Sequence, residues 1–163
     1  MRELSGYMAL ARRHGFESVA EIRAEMLHCN AEIRALCAPD KCSHYGTSWI
    51  CPPGCGELAA CAETLRGYGG GLLLVSRWES VDTNDMALLQ RLSALHNRRL
   101  RRLAAAIRRD APHALLLSTG GCGLCRRCTY PAAPCRRPDR NSGSLSAFGI
   151  DVGALCAAAG VDY

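Results

Sequence analysis

A chain of 163 residues, 48% of them hydrophobic, is large enough to close one core without leaning on metal for all its stability, so residues 1–163 are treated as a single domain. No apolar stretch approaches bilayer-spanning length, which excludes a membrane-spanning class. The formal charge of +5 leaves nucleic acid or an acidic protein to be weighed as a partner, and 11 cysteines exceed ordinary usage and demand a chemical explanation.

From Met1 to His14 there is no continuous apolar run of the secretory kind, which leads us to expect a reducing, cytoplasmic compartment. Clustered cysteines there serve as metal ligands or catalytic thiols more often than as a disulfide framework. From Ser18 to Leu36, the apolar residues Val19, Ile22, Met26, Cys29, Ile33 and Leu36 recur in steps of three and four, which predicts a helix with Ser18 and Glu21 as its capping box. Cys37 to Gly56 is rich in proline, glycine and cysteine and has no periodicity, so it is an irregular loop that needs a cross-link to be ordered. Glu57 to Arg66 is a short helix ending at Gly67, with Leu58, Cys61 and Leu65 on one stripe.

Gly71 to Trp78 is a continuous apolar run too short for a typical helix and is expected to be a buried strand. Asn84 to Asp110 is the longest helix, with Leu88, Leu92, Leu95, Leu103 and Ile107 inward and Pro112 beyond its end. A second buried strand is expected over His113 to Ser118. Strand, helix, strand is the order of a β-α-β unit with adjacent parallel strands. After a loop from Gly120 to Phe148, a short helix starts at the N-cap Asp151 and stops at Gly160. The expected class is therefore α/β (α+β): a small sheet with a β-α-β unit, packed by helices, with two cysteine-rich metal-binding loops.

The cysteines fall into two groups. In the second, Cys122, Cys125 and Cys128 are separated by two residues each, and Cys135 follows after Pro134. This spacing lets a turning backbone aim successive thiolates at different irons of a cubane cluster. Gly120, Gly121 and Gly123 permit close approach of backbone N–H groups to the sulfides. Zinc is the alternative, since four thiolates also satisfy a tetrahedral ion. The first group holds Cys37, Cys42, Cys51 and Cys55, with Cys61 on the following helix. Cys61 shares a face with Leu58 and Leu65 and is chosen as the fourth ligand; Cys55, in the Pro-Gly loop, is the alternative. His44 is expected to be solvated, and Cys29 and Cys156 to be packing residues on apolar helix faces.

Cys37-x4-Cys42 followed by Tyr45-Gly46, Trp49-x-Cys51-Pro-Pro, the Gly-Gly-Cys122-x2-Cys125-x2-Cys128-x6-Cys135 run, and Gly149-Ile-Asp-Val152 resemble the DUF2284 family of predicted metal-binding proteins over nearly the whole chain. The resemblance implies cysteine-bound metal, of the iron–sulfur kind, and no agreed reaction. It implies one site at Cys37, Cys42, Cys51 and Cys61 and another at Cys122, Cys125, Cys128 and Cys135. The chain departs from the family's pattern at Ser146, where similar sequences tend to be acidic.

Arg126, Arg127, Arg136 and Arg137 flank the second group, where positive charge favours a reduced, anionic cluster. Arg98, Arg99, Arg101, Arg102, Arg108 and Arg109 lie along the long helix as a docking face for an acidic redox partner. Aromatic residues do not interleave with them, which argues against nucleic acid. Gly69 to Gly71 precedes a strand instead of opening a helix, so it is no nucleotide fingerprint. Nothing in the spacing of His113, Ser118 and Asp151 supports nucleophilic catalysis. The expected function is a protein binding two [4Fe-4S] clusters, in electron transfer or as a redox component of a larger enzyme system. An enzyme with an open iron and a zinc-stabilised interaction module are the alternatives.

Overall fold

A computed structural model describes residues 3–162. The elements run α1 (Leu4–Arg13), β1 (Ser18–Arg23), a 3-10 turn (Ala24–Met26), α2 (Ala31–Ala35), α3 (Leu58–Arg66), β2 (Gly70–Val75), α4 (Met86–Ile107), β3 (Leu117–Ser118), β4 (Gly143–Ser144) and α5 (Val152–Ala158). The class is mixed α/β. The strands form two two-stranded sheets, β1 antiparallel to β2 and β3 parallel to β4.

The helix expected over Ser18–Leu36 is not formed. Ser18–Arg23 is a strand, and only Ala31–Ala35 of the remainder is α-helical, capped by the Asn30 carboxamide on the Glu32 N–H. The physical reason is that β1 is buried on both faces. Val19 and its partner Leu74 face a core with Ala11, Phe16, Leu100, Leu103 and Ala104, while Ala20, its partner Leu73, and Ile22 face a second core with Cys61, Leu65, Leu155 and Cys156. A three-residue step between buried positions, read as helical, is here a change of face on a strand. Helices α1 and α4 thus cover one side of the β1–β2 sheet, and α3 and α5 the other. Helix α1 has no counterpart among the predicted elements; its buried Tyr7 and Ala11 stand one turn apart, and Met8 and Leu10 pack beside them.

The order strand, long helix, strand is present as β2, α4 and β3, but β2 pairs with β1 and β3 with β4, so the two strands are not hydrogen-bonded to each other. Residues 115–117 still alternate between the same two cores as β2, with Leu116 on the α4 side and Leu115 and Leu117 on the other. A cavity of about 860 Å³ lined largely by leucines lies between the two segments. Regular pairing in the expected strand His113–Ser118 is confined to Leu117–Ser118.

Along α4, Asp85 caps the start by accepting from the Leu88 N–H at 2.9 Å. Asn97, Leu100, Leu103 and Ala104 make its buried stripe, whereas Leu95, expected inward, is exposed. The C-terminal helix is as expected: Asp151 caps it on the Ala154 N–H at 3.0 Å, and Gly160, at φ 66°, follows its end. No described helix is long and apolar enough to cross a membrane.

Leu103 is 1% exposed in the α1–α4 core. Leu103→Ala is expected to cost about 2–5 kcal/mol by denaturant titration, within the range for buried leucines, whereas Leu36→Ala, at a side chain 70% exposed, should be close to neutral.

Candidate metal centres

Both cysteine groups lie on irregular chain. The first occupies the turns between α2 and α3, and the second those between β3 and β4. Cys51 is the buried centre of the first group, at 7% exposure. Burial, and then the neighbouring Cys42, Cys37 and Cys55, push its thiol up to about 12, against a smaller opposing contribution from the Ser48 hydroxyl. Cys37 is raised by burial and by Cys42, and Cys55 by burial, with Arg34 opposing. Cys51 therefore lies within electrostatic reach of Cys37, Cys42 and Cys55, and Cys55 also feels Cys61.

Cys61, the expected fourth ligand, sits 2% exposed in the apolar core with Leu65 and Leu155. Its sulfur accepts from Arg34 Nη1 at 3.7 Å, and its S–H faces the Cys55 carbonyl at 3.9 Å. The inward orientation expected of it is real, but inward here leads to the core under α3, with Cys55 between it and Cys51. Cys29 is packed against the same core from the chain before α2, not from a helix, and burial raises its thiol. Cys156 is fully buried on α5.

In the second group, Cys122 is raised by burial despite N–H donors from Leu124 and Ser142, and it feels the charge of Cys135. Cys135 accepts from the Arg137 N–H at 3.4 Å and from the Asn141 carboxamide at 3.8 Å. Burial pushes the Cys128 thiol up, but N–H groups of Tyr130, Trp49 and Thr129 and the Ser48 hydroxyl outweigh it, and its pKa falls below the ordinary value. Cys125 is half-buried in the same loop. Among the described residues, no three His, Cys, Asp or Glu side chains meet closely enough to grip a single ion.

The donors on Cys128 disclose the main feature of the site, which is that the two cysteine loops pack against each other. Trp49 donates its indole N–H to the Ala133 carbonyl at 3.1 Å and meets Tyr130 edge-on with ring centroids 5.0 Å apart. The His44 ring lies against Gly121, so this histidine is a packing residue at the loop interface. Arginines tie the loops to the helices. Arg34 of α2 donates to the carbonyls of Gly56 and Ala147, and Arg101 of α4 donates to the Cys122 carbonyl at 3.1 Å.

Of the arginines expected to form a docking face, Arg99 binds the Gly15 carbonyl at 2.7 Å and Arg108 the carbonyls of Asp139 and Ala114. With Arg101, these three are turned to internal work, while Arg98, Arg102 and Arg109 are exposed. Arg126, Arg127, Arg136 and Arg137 are exposed beside the second group. Arg34, Ser48, Tyr130 and Asn141 carry no local signal in the sequence that marks them as part of the site. Only Trp49, beside Cys51 in the family-like stretch, carried such a signal.

A donor set of clustered thiols with N–H groups aimed at the sulfurs, on a mixed α/β scaffold, defines a cysteine-based metal-binding protein. The chain belongs to the DUF2284 family of predicted metal-binding proteins, whose model matches residues 20–163. No curated protein and no solved structure matches it.

Gly54 is the tightest point of the loop interface. A Cβ there would meet the Ser48 carbonyl oxygen and come within 2.9 Å of the Tyr130 ring. Gly54→Ala is expected to destabilise by about 1–3 kcal/mol, the usual cost of overpacking, as read by thermal melts. Adding Tyr130→Leu should recover only part, because the backbone carbonyl stays in place.

Since the thiols of Cys37, Cys51, Cys55 and Cys122 are held above the ordinary cysteine value, they carry protons at neutral pH that a metal must displace. Cobalt(II) binding, followed by thiolate charge-transfer absorption, is expected to release protons and to tighten steadily as pH rises from 6 to about 9.

Proposed function

We propose that the chain is an iron–sulfur protein with two [4Fe-4S] clusters that passes single electrons to and from a redox partner. The observation that carries this reading is the back-to-back packing of two cysteine loops through Trp49, Tyr130 and Ala133, with N–H donors on the sulfurs of Cys128 and Cys135. Hydrogen bonds to thiolate sulfur are a principal means by which proteins set cluster potentials. A shared wall keeps two such groups close.

For the second cluster the proposed ligands are Cys122, Cys125, Cys128 and Cys135. For the first they are Cys37, Cys42, Cys51 and Cys55. Cys55 is preferred to Cys61 because Cys51 feels Cys42, Cys37 and Cys55 but not Cys61, whose sulfur meets Arg34 and the Cys55 carbonyl at the edge of the apolar core. The clusters, when bound, would supply one-electron steps at low potential. Around them, the residues of this chain hold the sulfurs in place and counter negative charge. Arg34 lies beside Cys55 and Cys37, and Arg101 beside Cys122. Asn141 and the Arg137 N–H orient Cys135. The exposed Arg126, Arg127, Arg136 and Arg137 would give an acidic partner its approach to the second centre.

Protein purified without oxygen should be brown and contain about eight irons and eight sulfides, with visible absorption that bleaches on reduction. Colourless protein with stoichiometric zinc would overturn the proposal. Cys55→Ser is expected to lose about half the iron, and Cys61→Ala to keep it; the reverse would return Cys61 to the ligand set.

A further inference from the structure

The cavity of about 860 Å³ between β2 and residues 115–117 has walls of two kinds. Leu72 and Leu74 of β2, Leu89 and Leu92 of α4, and Leu115 and Leu117 form much of the apolar part, and all six are half-buried. Apolar surface left part-exposed on segments that line one cavity is surface that a nonpolar guest would cover. The polar part is mostly satisfied within the chain. His96 Nδ1 lies 3.1 Å from Ser76 Oγ, Ser93 Oγ lies 3.1 Å from both oxygens of Thr119, and the Tyr68 hydroxyl donates to the His113 carbonyl at 2.9 Å. Tyr7 of α1 is different. It lines the same cavity, is 8% exposed, and its hydroxyl has no hydrogen-bond partner among the described residues. A buried hydroxyl without a partner is costly, and an oxygen on a bound molecule would relieve that cost.

We propose that this cavity binds a neutral amphiphile, a hydrocarbon body with one oxygen function, which covers the leucines and accepts a hydrogen bond from the Tyr7 hydroxyl. Charge decides between a neutral guest and an ionic one. Among the described residues that line the cavity, Arg77 and Asp162 alone carry a full charge, one of each sign. Burial, and then Arg99, hold the His96 ring below its ordinary value against the opposing Glu17, so it is neutral at pH 7. A carboxylate or an ammonium would lose its hydration there without an excess of opposite charge to replace it. A hydroxyl or carbonyl loses far less and meets a donor that has no other acceptor. No cysteine of the two groups lines the cavity, so the proposal stands apart from the iron–sulfur reading.

The test is a titration of the full chain with N-phenyl-1-naphthylamine, a neutral dye that brightens in apolar surroundings, followed by displacement with 1-decanol, decanoate or decylamine at pH 7. The dye is expected to brighten to saturation, and decanol to displace it at lower concentration than either charged compound of the same chain length. Tyr7→Phe should leave the melting temperature of the ligand-free chain unchanged or raised, and weaken decanol roughly five-fold, the worth of one neutral hydrogen bond. Leu92→Phe, which fills the cavity, should reduce dye binding; if it folds poorly, Leu115→Phe replaces it from the facing wall. No saturable brightening, charged compounds that compete as well as decanol, or a Tyr7→Phe variant that binds decanol as wild type does overturns the proposal. Brightening that survives the filling variants places the dye elsewhere, and a dimer that excludes the dye gives the cavity to a second copy; either result overturns it as well.

Discussion

The seating of Trp49 against Tyr130 and Ala133 is the contact on which the two cysteine loops depend. Neither loop has a helix or a ladder longer than two residues to hold it, and long structureless connections in a compact domain are costly to order and are usually functional. One indole supplies an apolar face to the Tyr130 ring and a hydrogen bond to a carbonyl of the opposite loop. Its own backbone N–H reaches Cys128. Ordering of one loop therefore orders a sulfur of the other, and the loops are better regarded as one structural unit than as two separate metal sites.

Beneath that unit, the doubly buried β1–β2 sheet provides a firm base, and arginines attach the loops to it. Irregular chain leaves carbonyls without ladder partners, and a guanidinium with five donors can satisfy several of them from one rigid fork. Arg34 gathers Gly56 and Ala147, and so links the end of the first cysteine loop to the segment that enters α5. Arg101 and Arg108 do the same from α4 for the second loop and its neighbour at Asp139. A lysine, with a point charge and a flexible stem, would satisfy fewer of these carbonyls, which is a physical reason for a basic composition that includes Lys41 alone among lysines.

The parts of the fold legible in the sequence are those whose signals are local. Asp151 and Gly160 mark α5 because capping and chain reversal act within a turn, and α3 and most of α4 follow from their own periodicity. The strand β1 is not legible locally because its apolar spacing reports two cores at once, and nothing within Ser18–Arg23 says that a second layer lies behind it. The cysteine groups were legible as groups. What the chain alone could not disclose is which groups meet: that Trp49 finds Tyr130 across intervening helices and strands, that His44 covers Gly121, and that Cys55 stands between Cys51 and the enclosed Cys61. Each depends on contacts between residues far apart in sequence.

The same distinction applies to the positive charge. Counted along the sequence, Arg98 to Arg109 make one basic face; counted in space, Arg99, Arg101 and Arg108 have spent their donors on carbonyls of the chain itself. Of the other arginines beside these elements, Arg98, Arg102 and Arg109 are exposed on α4, and Arg126, Arg127, Arg136 and Arg137 on the rim of the second cysteine loop. On the iron–sulfur reading each centre would carry about −2 with its four thiolates, which would bring the whole chain from +5 to about +1. The arginines of the rim would then face a local negative charge and not bare solvent. Part of the basicity in the composition is accounted for by structural carbonyls, to which Arg99, Arg101 and Arg108 donate.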